Sequence, residues 1–415
     1  MSQFDVKLYK KPSNVPSNYN VISVSFFLSK DAYKNVRIYI NGLRILIDRV
    51  INKLPSDYYL YLYHDKTIEE TKHPSNFLNN LVRYDISKLL DYLKRNDRVF
   101  LFRYDYPQFK DPTNDFYHVT TFGTMVRFLP LFDYPENKNL NIVMVSDIDI
   151  RNNIDDFVTQ FHRTIETTTT MPDASIYIGY VMCYYLTTWS RIKRLENLTF
   201  LRVRAGSLLS KVRFPHKLFD DYMKALINGT AIYPEDKEDM DLHINVARQT
   251  KGLSKGLKFY YGYDEYFLDA YVLPWIIKNK LIILAYVIPF VKHVLVKYIL
   301  TSIDIRTNNY QNLNAHQKEV MKNIIQYVLQ KDLAPNISVN DAIWEIRGII
   351  KADGKSAVLS RFREAIYGLS QKDAKAIYLS PSEYKCFKEL DTYEKCSYIK
   401  ATYDKKGAIQ YQCLL

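Results

Sequence analysis

Asn141–Arg151 reads NIVMVSDIDIR, an unbroken apolar run that ends in two aspartates, Asp147 and Asp149, on either side of Ile148. A strand that is apolar along its whole centre is buried on both faces, and such strands belong to parallel sheets covered by helices. Segments of the same character lie on the amino-terminal side: Val21–Leu28 (VISVSFFL), Tyr58–Tyr63 (YYLYLY) and Arg98–Tyr104 (RVFLFRY). Between them, Tyr33–Lys53 carries Ile38, Leu43, Leu46 and Val50 at helical spacing and stops at Pro55, and Thr120–Phe132 predicts a second helix. On the carboxyl side, Ser175–Leu186 and Leu198–Val203 predict strands, and Lys217–Asn228 and Glu265–Lys278 predict helices. The alternation gives an α/β fold class with a mostly parallel sheet over residues 1–280. Ligands of such sheets sit past the carboxyl ends of the strands, so polar residues there are the candidates for function.

Residues 281–415 read differently. Lys280–Leu300 is densely apolar but is interrupted by Pro289, Lys292, His293 and Lys297, which makes it a poor membrane-spanning helix. It reads as a buried helix pair, with an interfacial helix and peripheral membrane contact as the alternative. From Asn312 the pattern is helical and mixed-polar, so the carboxyl-terminal region is expected to be mainly helical.

Composition narrows the classes. With 415 residues, 47% apolar and 25% charged, the chain can bury a substantial core. Only 12 glycines occur and no GxGxxG, so the usual dinucleotide fingerprint is absent. The net charge of +12 is diffuse. It suits phosphates or an anionic surface, but no RNP, zinc or helix-turn-helix signature accompanies it, which disfavours nucleic acid as partner. The four cysteines (Cys183, Cys386, Cys396, Cys413) are too few and scattered for a disulfide framework or zinc cluster. The start, MSQFDVKLYKKPSN, lacks the apolar run of a secretory signal. A reducing, cytoplasmic location is therefore expected.

Asp147 and Asp149 carry the strongest chemical signal. Carboxylates two residues apart at a strand end can point to one side and share a divalent cation, leaving coordination positions for phosphate oxygens. Such a pair at a buried strand end is costly unless a cation or donor neutralises it. Asp239 and Asp241 have the same spacing, but lie in the charged stretch PEDKEDMD and read as solvated.

Taken together, TFGTMVRFLPLFD (Thr121–Asp133), NIVMVSDIDI, Arg204-Ala205-Gly206 and GYDEYFLDAYVLP (Gly262–Pro274) resemble the metal-dependent, GT-A type nucleotide-sugar glycosyltransferases. They are similar to those of large DNA viruses and bacterial surface-glycan loci. The resemblance covers roughly residues 20–280 and implies a Rossmann-like GT-A domain with a DxD motif that chelates Mn²⁺ or Mg²⁺ on the diphosphate of the donor. It implies that Asp147 and Asp149 hold the metal and that Arg127 reaches the donor's sugar or phosphates. Val21–Lys30, including Ser29, would supply the base and ribose pocket, with Asp65 assisting. Gly206 would admit the donor sugar. Asp264, then Glu265, would bind acceptor or take the proton of its hydroxyl, the acceptor being a glycan, protein or lipid. His293 would complete the metal shell, with His243 as the other candidate, although no HxxG-like or HxH ligand is evident.

Each of these residues also has a plainer reading: Arg127 as a helix cap or bridge, Gly206 as a turn glycine, and Asp264 and Glu265 as acids favoured by a helix start. Two rival functions stand beside the transferase. A haloacid-dehalogenase-like phosphohydrolase also places DxD after an apolar strand, yet here Ile150 follows the second aspartate and no downstream lysine and DD set occurs. A basic binding module with a degenerate transferase domain is the non-enzymatic alternative. The P-loop-like Gly348–Ser356 has five residues between its glycines rather than four and is set aside.

Overall fold

A computed structural model describes residues 5–28, 35–69, 80–106, 110–111, 114–118, 122–150, 154–179, 199, 201–228, 263–286, 314–330 and 396–414, with scattered positions between 341 and 393. The chain divides into two compact units, one of residues 1–180, 203–286 and 400–412, the other of residues 181–202, 287–399 and 413–415.

The strands are β1 (Val6–Lys10), β2 (Tyr19–Phe26), β3 (Tyr58–Asp65), β4 (Val99–Tyr104), β5 (Lys110–Asp111), β6 (Asn114–His118), β7 (Leu140–Ser146), β8 (Ile176–Ile178), β9 (Ser207–Ser210), β10 (Ile283–Tyr286), β11 (Tyr398–Tyr403) and β12 (Ile409–Leu414). β5 and β6 pair with each other; the remaining ten make one sheet in the order β1-β4-β3-β2-β7-β9-β8-β10-β11-β12. β4, β3, β2 and β7 run parallel, as do β8 and β10. β1 opposes β4, and β9 opposes both β7 and β8. The sheet is therefore mixed, with a parallel heart.

Every residue of β2 and β3 is buried, as their apolar and aromatic sequences require. Tyr61 packs between Phe100 and Phe102, with ring centroids 4.8 Å from each, and its hydroxyl meets that of Tyr19 at 2.6 Å. Twelve of the 36 tyrosines are buried in the described residues. The chain runs β2, β3, β4 to one side and returns on the other side of β2 as β7. The switch point of the parallel sheet therefore lies between the carboxyl ends of β2 and β7.

The helices are α1 (Val36–Ile45), α2 (Asn80–Arg95), α3 (Ile154–Thr170), α4 (His216–Asn228), α5 (Tyr263–Phe267), α6 (Leu273–Lys278) and α7 (Ala315–Leu329). The predicted helix over Tyr33–Lys53 begins at Val36 and ends in a π turn (Leu46–Val50) and a 3-10 turn. Likewise α5 and α6 are joined by a π turn at Leu268–Val272. Thr120–Phe132 is not α-helical: two 3-10 turns, Phe122–Thr124 and Val126–Leu131, replace it. Pro130, which has no N–H to continue an α-helical ladder, sits in the second. The expected strand Leu198–Val203 is also displaced. Thr199 and Leu201–Val203 are not extended strand, and β9 begins only after Gly206.

In the second unit, α7 starts with a capping box: Asn314 accepts from Gln317 N at 2.9 Å, and Gln317 Oε1 accepts from Asn314 N at 3.1 Å. Two described stretches beyond residue 280 depart from the mainly helical expectation. Ile283–Tyr286 of the supposed helix pair is the buried strand β10, and the chain ends in the β11–β12 hairpin. Cys396 and Cys413 form a disulfide, with Cα atoms 5.4 Å apart. The two cysteines, 17 residues apart, meet across the hairpin, a single bond and not a framework. Among the described residues, no helix is long and apolar enough to cross a membrane.

Candidate active site

Asp147 follows β7 directly and lies beside the switch point. Ser146 is the last residue of β7 and pairs with Ser207 of antiparallel β9, so continuing that register sets Asp147 opposite Gly206. A Cβ on Gly206 would come within 2.4 Å of Asp147 Oδ2 and 2.8 Å of its Cγ. The absence of a side chain at Gly206 is what gives the carboxylate its place. Asp147 keeps 43% of its side chain exposed, whereas Ile148 is buried; Asp149 is again partly exposed. Both aspartates therefore keep part of their surface in solvent.

Arg127 enters this turn from the 3-10 segment Val126–Leu131. Ser23 Oγ in β2 donates to its carbonyl at 2.6 Å and fixes its backbone against the sheet. Its side chain is only 5% exposed. One guanidinium arm ion-pairs with Asp147 and donates to Ser146 O at 3.2 Å; the other bonds Asp264 Oδ2 at 2.9 Å. Its buried Nε has no hydrogen-bond partner. Burial works against the charge, but Asp147 and Asp264, with Glu265 behind them, outweigh it and raise the arginine's pKa above its ordinary value. The guanidinium is thus permanently charged and fixed by a planar fork that a lysine could not reproduce.

Asp264 lies in the first turn of α5 and is 13% exposed. Its Oδ1 accepts from the backbone N–H of Glu265 at 3.0 Å while Oδ2 is bonded to Arg127, so both oxygens are engaged. Glu265 is buried at 7% exposure. Further along the same stretch, fully buried Asp269 accepts from Val203 N at 2.6 Å and ties the start of the Arg204–Gly206 segment to the helix.

The structure thus brings together Arg127, Asp147, Gly206 and Asp264, which are spread over 137 residues, with Glu265 within electrostatic reach of the guanidinium. It does not bring Asp65 to the surface. That carboxylate is fully buried and caps the turn Lys66–Ile68, accepting from Thr67 N at 2.9 Å and Thr67 Oγ1 at 2.5 Å. A nucleotide-assisting role for Asp65 is therefore corrected to a structural cap. Ser29, His243, His293, Gly262 and the Asp239/Asp241 pair lie outside the described residues. Two residues that matter were missed. Ser23 interrupts the apolar run of β2, and Gly42 interrupts the helical pattern of α1; each departure from pattern was the available signal.

No family model and no curated protein matches the chain. Among solved structures it is similar to the apo form of mouse xyloside xylosyltransferase 1, with 13% identity over 62% of this chain and 82% of that one and a TM-score of 0.25. So slight a likeness does not bear on the reaction.

Proposed function

We propose that the protein is a glycosyltransferase that moves a sugar from a nucleoside-diphosphate sugar to an acceptor hydroxyl. In this reading Asp147 and Asp149 share a divalent cation, Mn²⁺ or Mg²⁺, with the donor diphosphate. The observation that carries it is the position of the two aspartates: they follow the strand at the switch point of a parallel sheet, where α/β folds bind their ligands. Carboxylate oxygens are hard ligands of the kind such an ion takes, although no group of three or more His, Cys, Asp or Glu side chains that could hold a metal occurs among the described residues. When bound, the cation would offset negative charge building on the departing diphosphate.

Arg127 supplies a second, fixed positive charge at the same turn, already oriented before substrate arrives, which is the condition for electrostatic catalysis. Asp264 is assigned to holding Arg127. Both of its oxygens are already bonded, one to Glu265 N and one to Arg127, which suits a brace. Glu265, buried beside it, reinforces the charge on Arg127.

The test is thermal melting with UDP or GDP in the presence of Mn²⁺, followed by a nucleotide-sugar panel scored for Mn²⁺-dependent donor hydrolysis. A nucleotide-dependent rise in melting temperature that is absent in Asp147→Ala and Asp149→Ala is the expected result. No shift with any nucleotide overturns the reading. Phosphate release from simple phosphomonoesters would replace it with the phosphohydrolase, and salt-sensitive retention on a polyanion with the binding module.

A further inference from the structure

We propose that Gly42 and Gly206 are positioning residues that grip the Asp147–Asp149 turn from two sides; the inference rests on the reading of that turn as the donor site. Gly42 lies inside helix α1, where glycine is a poorer choice than alanine for the helix itself. Its reason is on the other side of the contact. A Cβ there would stand 1.7 Å from the carbonyl oxygen of Ile148, 2.8 Å from the carbonyl carbon and 3.3 Å from Ile150 N. All three are backbone atoms, so no rotamer change relieves the overlap. Ile148 is the residue between the two aspartates and is itself buried, so the turn is anchored by its middle while its acids stay partly exposed.

Gly206 acts on the other side. It meets the carboxylate of Asp147 itself, 2.4 Å from the place its own Cβ would take. Helix α1 therefore sets the depth of the backbone, and the approach to β9 sets the angle of the first carboxylate against Arg127. A methyl group at Gly42 must push the Ile148 carbonyl well over an ångström to reach ordinary contact, carrying both aspartates with it. Displacements of about 1 Å at a reacting site are known to cost on the order of a hundredfold in rate.

The experiment uses the full chain with Gly42→Ala, Gly206→Ala and, as control, Gly368→Ala, whose Cβ would meet its nearest neighbours at 3.4 Å and 3.7 Å. Two signals are read at matched circular dichroism: the arginine-selective ¹⁵N guanidinium resonances of Arg127, without ligand, and half-saturation by UDP with Mn²⁺. Gly42→Ala is expected to move the Arg127 resonances and to weaken UDP–Mn²⁺ binding at least tenfold, while Gly368→Ala changes neither. Arg127 resonances unchanged in Gly42→Ala overturn its role.

Should Gly42→Ala fail to fold, the Gly206 half is judged by a melting-temperature cycle. Gly206→Ala is expected to lower the melting temperature when Asp147 is present and to leave it unchanged in an Asp147→Gly background; an equal drop in both backgrounds overturns the proposal. If the unsubstituted protein binds no UDP with Mn²⁺, the transferase reading fails, whereas the Arg127 resonances and the cycle still decide the positioning roles.

Discussion

Replacing Arg127 by methionine keeps an apolar stem of similar bulk and removes the charge that Asp264 and Asp147 share. The two acids do not count equally. Asp264 is 13% exposed, so stripping its partner strands a carboxylate in a poorly solvated place, a change worth about 3–5 kcal/mol. Asp147 is 43% exposed, so water and salt screen its half of the interaction to roughly 0–1 kcal/mol. A loss of about 4 kcal/mol follows, which for a unit of this size lowers the melting temperature by roughly 10 °C. Arg127→Lys should lose about half as much, since one ammonium cannot bond Asp264, Asp147 and Ser146 O together. The decisive variant is Arg127→Met with Asp264→Asn. Removing the stranded charge should restore most of the stability, whereas Asp147→Asn in the same background should restore little. Thermal and urea unfolding at neutral pH measure all of these. A loss below about 1 kcal/mol for Arg127→Met, or no rescue by Asp264→Asn, would refute the burial and the inequality of the two pairs.

Two further outcomes come from elsewhere in the chain. His64 is fully buried at the end of β3, and burial drives its pKa from 6.5 down to about 4. Between those values the unfolded chain binds more protons than the folded one, so stability rises with pH across that window and is lost as the pH falls through it; about 3 kcal/mol is at stake. The urea midpoint of His64→Gln should lose most of this slope between pH 4.5 and 6.5, and an unchanged slope would place the titration on another group. The Cys396–Cys413 bond closes a loop between residues 17 apart, for which chain-entropy arithmetic gives about 3 kcal/mol. Reductant or Cys396→Ser should lower the melting temperature accordingly, and intact mass after alkylation without reduction should show two blocked thiols fewer than after it.

The parallel heart of the fold is legible because its strands announce themselves. β7 occupies Leu140–Ser146, beginning one residue before the run read from Asn141 and stopping at its aspartates, and β2, β3 and β4 lie within two residues of theirs. Such strands have no polar alternative and are fixed by burial alone. β9 is different. SLLS is four residues long, and its identity comes from pairing with β7 and β8, contacts that no local pattern carries. The same holds for β10, whose ILAY run is equally apolar as helix or strand until β8 supplies a parallel partner. The breaks in α1 and between α5 and α6 are π turns, which hydrophobic spacing does not distinguish from α-helix.

Arg127, Asp147, Gly206 and Asp264 could be picked out of the sequence one at a time; the contacts that join them could not. A carboxylate in the first turn of a helix is favoured by the exposed N–H groups whether it is a base, a ligand or a brace. Position in sequence therefore left Asp264 open to all three. The structure adds three contacts: Glu265 N to one oxygen, Arg127 to the other, and Arg127 onward to Asp147. Together they make Asp264 the far anchor of a bridge whose near end is the strand-end aspartate. The same bridge explains why Arg127 stands twenty residues before Asp147: the Val126–Leu131 turn crosses β2, is fastened there by Ser23, and delivers the guanidinium to the carboxyl end of β7. Spacing along the chain is thus the consequence of a path over the sheet, and only the sheet order reveals that path.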